Sequence, residues 1–446
     1  MTGQQGLATG LAPVRGKDRI AVLDVLRGFA ILGIFFINLP AMSGPLTAMF
    51  ADFRTLGWSR ADQQIWLFLE TFLEGSQRGM LEMLFGAGLM ITAAKAMEPD
   101  GPVSVADLYI RRNLWLLLFG LINIFGLLWL GDILHIYALC ALALFPFRKL
   151  KVRSLLILGL ALATFMSVIG GIEYVSRGEL QQTHKVAVEK QQNGQKLTTE
   201  EADAIKEWDK IIARATGQEP EIQKLARDEV KARAGSFGDY AEFLTSTYVT
   251  LVKKGSLIGG IFEAFSVMLI GIALWKLGFI QGQRSTRDYL VVLVLAYGFG
   301  LTARYVGGLE RMTFQPIPKT LWMTHEYARI AVSLGHIALI NLLMRFAPGR
   351  AALKPLIAAG QMAFSLYFLQ QFIGIYVMYS PIGLRLPGGQ GWAYTSALAG
   401  MIVIGLLVFA NLWMRWFASG PLEWVWRSLT YCRMQPFRRR ALAATG

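Results

Sequence analysis

IAVLDVLRGFAILGIFFINLPAM, Ile20 to Met42, is an apolar run long enough to cross a bilayer as a helix, broken only by Asp24 and Arg27 one turn apart near its start. It is too long for the core of a signal peptide, and no small-residue cleavage pattern follows it, so it is expected to remain as a span. Similar runs recur along the chain. Hydrophobic residues make up 54% of 446, mean hydropathy is +0.43 and only 17% of residues are charged, which indicates an all-α polytopic membrane protein.

Working outward, residues 1–19 form a polar, Gly-rich segment, and WLFLETFLE, Trp66 to Glu74, is too short to cross and reads as an interfacial or re-entrant helix. The second span is expected over Arg78 to Met97, where Gly86 to Gly88 would permit close helix contact. Spans three and four, about Leu114–Leu130 and Asp132–Phe147, read as a hairpin with almost no link. Span five follows RKLKVR, Arg148 to Arg153, and runs to about Tyr174. Residues 175–255 form a charged, Gln-rich helical insert, residues 256–417 hold spans six to ten, and 418–446 form a basic tail.

The formal charge of +14 does not imply a nucleic-acid partner, because Tyr174 to Gly255 holds 13 Lys/Arg against 13 Asp/Glu and the excess sits in short loops and tails. Ten spans put both termini on one side. The loops and tails of that side carry twenty Lys/Arg, whereas the opposite side carries Arg54, Arg60, Arg304, Arg311, Lys319 and Arg385. Both termini are therefore expected in the cytoplasm, with the neutral insert outside. Cys140 and Cys432 stand alone, and no disulfide is expected.

Ionisable residues at membrane depth mark candidate sites. The densest set is WLGDILHIYALC, Trp129 to Cys140, where Asp132 and His135 lie three apart and would share a helix face. An acid that orients an imidazole makes it a base toward a hydroxyl or amine; alternatively Asp132 caps the span and His135 bonds a neighbouring helix. His325, Glu326 and Arg329 suit an anionic group or a proton carrier, or simply a charged helix end. Glu74, Arg78 and Glu82, spaced four apart, read first as pairing along one face, with Arg78 and Glu82 also candidates for substrate contact. Gln361 and Gln370 add neutral hydrogen-bonding groups. Asp24 and Arg27 read either as a mutually neutralising pair or as contacts for a phosphate-bearing donor, and His336 reads as a satisfied buried histidine. No metal is expected, since no two histidines have ligand spacing, and no nucleotide-binding motif is present.

Five stretches carry a resemblance: RIAVLDVLRGFAILGIFFINLP at the N-terminus, EGSQRGMLEMLFGAGLM (Glu74–Met90), LGDILHIYALCALALFPFRKL (Leu130–Leu150), GQMAFSLYFLQQFIG (Gly360–Gly374) and GPLEWVWRSLTY (Gly420–Tyr431). In this order they resemble the YeiB-like membrane proteins, a bacterial family described as a domain of unknown function. That family is distantly similar to transmembrane acyltransferases such as heparan-alpha-glucosaminide N-acetyltransferase. The resemblance implies acyl transfer from a cytoplasmic coenzyme A thioester to an acceptor across the membrane. Asp24 and Arg27 match the LDxLRG opening, and Asp132, His135 and Tyr137 match GDILxxYA. The insert lies outside the pattern.

The leading expectation is acyl transfer to an extracytoplasmic hydroxyl or amine on a glycan or lipid, with His135 as base, Asp132 as its orienting partner and Arg27 near the donor. A transporter or lipid-handling protein is the alternative, because five spans on each side of a long insert make two oppositely oriented halves. A scaffold whose insert binds a partner is the third reading. His325 is expected beside His135, and the insert is expected to lack an apolar core of its own.

Overall fold

The computed structural model describes residues 20–50, 52–93, 103–386 and 390–439. The N-terminal segment 1–19, the end of the second expected span at Met97, and Arg440 lie outside the described residues. Among those described the fold is all-α, with a single isolated bridge between Phe417 and Arg438.

The first apolar run forms α1 (Ala21–Gly33) and α2 (Phe35–Ser43) in line. A short α3 (Thr47–Phe50) and a 3-10 turn (Phe53–Leu56) lead to α4 (Arg60–Phe72). Ser59 and Asp62 cap α4 reciprocally, which satisfies two backbone donors at its start. Helix α5 (Ser76–Ala93) follows a left-handed Gly75, then come α6 (Val103–Phe125) and α7 (Leu134–Leu144). The chain turns back as α8 (Val152–Gln192), and the insert continues as α9 (Thr199–Ala215), α10 (Pro220–Ala234) and α11 (Phe237–Lys253). The second half comprises α12 (Ser256–Lys276), α13 (Thr286–Met312), α14 (Leu321–Leu343), α15 (Ala347–Gln361), α16 (Ala363–Gln371) with its π-helical extension to Tyr379, α17 (Trp392–Trp416) and α18 (Pro421–Thr430).

Six described helices are long and apolar enough to cross a membrane, and α14 with α15, bent by 118°, passes the same test as a pair. The other expected spans fall short for visible reasons. Helix α5 carries Arg78 and Glu82, α7 has 11 residues, and the stretch after Gln361 breaks at Met362 before α16.

Three sequence boundaries change. Spans three and four are not joined directly: α6 ends at Phe125, and residues 126–133, with Leu128 in the left-handed region, form the link that contains Asp132. Division at residue 174 falls inside α8, whose 41 residues run unbroken for about 60 Å at 1.5 Å per residue. Arg304 and Arg311, counted above as loop cations, lie on α13, and Arg304 is fully buried.

The insert carries a small cluster of its own, since His184 stacks on Trp208 at 4.9 Å and Ala187 and Ala204 are buried nearby. Glu201 and Asp239 close capping boxes on α9 and α11. Bonds from Lys190 and from Ser236, respectively, hold these carboxyls below their usual range. Helices α10 and α11 fold back onto the membrane part: Glu229 accepts from Leu46 N at 2.8 Å, Arg233 donates to the Gly44 carbonyl at 3.1 Å, and α11 packs on α12.

Glycines set the closest helix contacts. A Cβ on Gly360 would fall 1.8 Å from the Asp24 carbonyl oxygen, and one on Gly28 would fall 2.2 Å from that of Leu356, so α1 and α15 meet backbone to backbone. Gly86 does the same for α5 against α12, whereas nothing lies near Gly88. Gly360→Ala is therefore expected to cost about 1–3 kcal/mol through forced separation of α1 and α15, read as a lower Tm of the purified protein. Gly88→Ala is the control and should leave Tm unchanged.

Candidate active site

The link 126–133 borders three cavities: Ile133 lines all of them, and Leu130 and Gly131 line two. Asp132 sits in that link just before α7, and His135 is the second residue of the helix. Both are buried. Asp132 Oδ2 accepts from the His135 backbone N at 3.0 Å and lies 2.8 Å from His135 Nδ1. Its Oδ1 accepts from Asn123 Nδ2 at 2.7 Å and from the Tyr367 hydroxyl at 3.4 Å. One carboxylate thus meets both a first-turn backbone N–H of α7 and the imidazole ring. With Nδ1–H donating to Asp132, Nε2 is left as an acceptor, and the Tyr248 hydroxyl of α11 lies 3.2 Å from it.

His135 and Asp132 line a cavity of about 180 Å³ together with Arg78, Glu82, Tyr137, Tyr248 and Glu263. Behind it runs a buried ion network. Arg329 is fully buried and meets Glu82 at 2.6 Å, Glu326 at 3.0 Å and Glu263 at 3.2 Å. Arg78 pairs with Glu263 and lies 3.8 Å from Glu82. Its main partner therefore comes from α12 and not from its own helix. Tyr137 donates to the Arg78 carbonyl at 3.1 Å.

His325 is not the neighbour of His135. It lines a cavity of about 270 Å³ with Glu70, Glu74 and Arg311, and that cavity shares no lining residue with the one around His135. Its closest carboxylate is Glu326, at 3.9 Å. Arg304 and Arg311 pair with Glu70, at 3.9 and 2.9 Å. His336 is held as expected for a buried structural histidine, with the Tyr297 hydroxyl 2.6 Å from Nδ1 and the Phe72 carbonyl 2.9 Å from Nε2. Gln370 donates to the Ile31 carbonyl at 2.9 Å and lines none of the cavities described here.

Asp24 and Arg27 pair at 3.2 Å, and Gln361 donates to Asp24 at 3.3 Å. This puts Gln361 at the end opposite the insert, away from the outer candidates. Arg27 and Gln361 line a cavity of about 240 Å³ that also contains Arg112, Arg427, Trp426 and, at its far end, Tyr137 and Tyr367. Arg112 lies over the Trp426 ring at 4.7 Å and donates to Thr92 at 2.9 Å. Glu423 of α18 supports this wall by accepting from Phe364 N at 2.7 Å and Ser365 N at 3.1 Å, a carboxylate on the N-terminus of α16.

Ile133 and Tyr137 line both this cavity and the one around His135. The arginine-rich chamber and the cavity of the acid–imidazole pair thus adjoin at these two residues. Among the described residues, no three His, Cys, Asp or Glu side chains are grouped to hold a metal ion.

Sequence reasoning did not single out Tyr248, Asn123, Tyr367, Arg112 or Arg427. Asn123 was the visible one, a polar residue inside an apolar run.

Residues 274–433 match the family described as "Protein of unknown function (DUF418)". The chain is 28% identical over 445 residues to the uncharacterized protein YxaH of Bacillus subtilis, covering 97% of this chain and 99% of the relative. It is 26% identical over 426 residues to the uncharacterized protein YeiB of Escherichia coli, covering 93% and 96%. No solved structure gives a significant match. The matches to these relatives run nearly end to end, so the chain is similar to the YeiB-like proteins over almost its whole length.

Proposed function

We propose that the protein is a membrane-embedded acyltransferase that takes an acyl group from a cytoplasmic coenzyme A thioester and passes it to an extracytoplasmic hydroxyl or amine. The observation that carries this reading is the junction of two cavities: Ile133 and Tyr137 line both the arginine-lined chamber and the cavity of His135. Arg27, Arg112 and Arg427 supply charge for the phosphates of the donor, and the aromatic walls suit its apolar arm. In this scheme His135 Nε2 takes the proton of the acceptor as its oxygen or nitrogen attacks the thioester carbonyl. The carbon–sulfur bond breaks, and the thiolate leaves into the chamber. Asp132 stabilises the imidazolium.

The test is titration of purified protein in nanodiscs with acetyl-coenzyme A, followed by assay of free thiol release. Saturable binding that weakens at least about tenfold in Arg112→Ala supports the scheme, at a cost of about 1.4 kcal/mol for that factor. Absence of binding would remove it.

The scheme needs the residue 148–153 loop and the arginine-lined chamber on the cytoplasmic side and the insert outside. Reporter fusions in that loop are expected to report cytoplasm, and one in the turn at 193–196 to report exterior, as the positive charge of the terminal-side loops requires. A cytoplasmic signal from the turn would reverse the assignment of donor and acceptor cavities.

A further inference from the structure

We propose that the corner between α17 and α18, with residues 431–439 folded back on it, is a binding site for anionic phospholipid headgroups. It does not depend on acyl transfer. Helix α17 is long and apolar enough to cross a membrane and ends at Trp416, so the corner that follows it lies at headgroup level. Four of the twelve tryptophans, Trp413, Trp416, Trp424 and Trp426, fall in this stretch, as anchors at a membrane interface do.

The returning segment is fixed in place. Arg439 N donates to the Trp416 carbonyl at 3.0 Å, Ala418 N to that of Phe437 at 2.9 Å, and the Trp424 indole to that of Gln435 at 2.7 Å. The Phe437 ring packs on Phe417 at 4.7 Å and on Trp424 at 5.0 Å. These contacts hold the backbone of Arg438 and Arg439 beside the end of α17. Arg433 is held beside the end of α18, where its N donates to the Ser428 carbonyl at 3.1 Å.

Charge decides the ligand. From Asn411 to Arg439 the chain carries five arginines and one acid, Glu423, which is buried and turned onto the start of α16. Asp107 of the adjacent α6 is taken by Arg111. Arg415, Arg433, Arg438 and Arg439 are exposed, and among the described residues their guanidinium groups make no hydrogen bond or ion pair. A phosphate matches a guanidinium through two parallel N–H bonds. Trp416 and Met434, 61% and 73% exposed, add apolar surface among these cations. A phospholipid satisfies both features, with phosphate on the arginines and acyl chain on the apolar side chains, whereas a soluble acid satisfies only the first.

The test uses the full chain in nanodiscs, whose two leaflets share one composition, so the outcome is independent of orientation. Wild-type Tm is expected to be several degrees higher in an equal mixture of phosphatidylcholine and phosphatidylglycerol than in phosphatidylcholine alone, with the gain shrinking at high salt. Arg433→Gln, Arg438→Gln and Arg439→Gln combined should keep the wild-type Tm in phosphatidylcholine and lose most of the gain in the mixture. The control removes three exposed charges elsewhere, Lys149→Gln, Lys151→Gln and Arg153→Gln, and should retain the gain. Equal wild-type Tm in the two lipids, or a gain that persists in the first triple variant, would overturn the proposal. Equal loss in both triple variants would also overturn it, by reducing the effect to overall charge. Glycerol 1-phosphate added to phosphatidylcholine nanodiscs should give no shift, and a shift equal to that of the lipid would make the ligand a soluble phosphate instead. If the first triple variant folds poorly, Arg433→Gln alone decides, with a partial loss of the gain expected and an unchanged gain counting against the site.

Discussion

His135→Ala is expected to lower acyl transfer by about 10²–10⁴-fold, the usual range for loss of a general base. The fold should survive. Asp132 keeps its bonds to Asn123 Nδ2 and to the backbone N of residue 135, so the carboxylate is not stranded and the cap on α7 remains. Asp132→Asn is expected to cut the rate while preserving shape, because an amide can still accept the backbone N–H but does not stabilise an imidazolium. Tyr248→Phe should act more weakly, since it removes only the hydroxyl beside Nε2. Rates measured in nanodiscs with Tm recorded for each variant check this series. Full activity in His135→Ala would remove the imidazole from the chemistry.

Arg329→Met is expected to be the most destabilising single change, by about 3–5 kcal/mol or more, read as a large drop in Tm or in folded yield. The residue is fully buried and holds Glu82, Glu263 and Glu326 together. Its removal leaves three carboxylates with Arg78 as the remaining nearby guanidinium, and Arg78 already serves Glu263. A double change of Arg329→Met with Glu82→Gln should recover part of the loss, because the closest stranded charge is then gone. If the single variant kept wild-type stability, the network would have no structural role.

Much of the membrane architecture was legible because hydropathy and span length are local properties. The apolar runs from Ala21, Ser256 and Trp392 appear as helices close to where they were expected. What escaped notice depends on partners distant in the chain. Tyr248 lies in a segment whose composition says only that it is helical, and its role comes from α11 folding down onto the link before α7. The placement of His325 failed for a related reason. Equal depth in a bilayer does not give equal position around a bundle, and the two histidines line cavities that share no residue. Helix α8 runs past residue 174 because charged residues mark the end of the hydrophobic segment, not of the helix, and the sequence beyond it consists of good helix formers.

The ion pair between Glu82 and Arg329 also bears on how the chain is made. Its two residues are 247 apart in sequence, so at roughly 5–20 residues per second the ribosome delivers Arg329 about 12–50 s after Glu82. Throughout that interval α5 holds a glutamate whose final partner has not been synthesised, with only Arg78 one turn away. A segment in this condition gains little by entering lipid early. Biogenesis of the protein therefore favours late seating of α5, after α14 has left the translocon, and insertase machinery able to shelter a polar helix during the delay becomes a condition for its assembly.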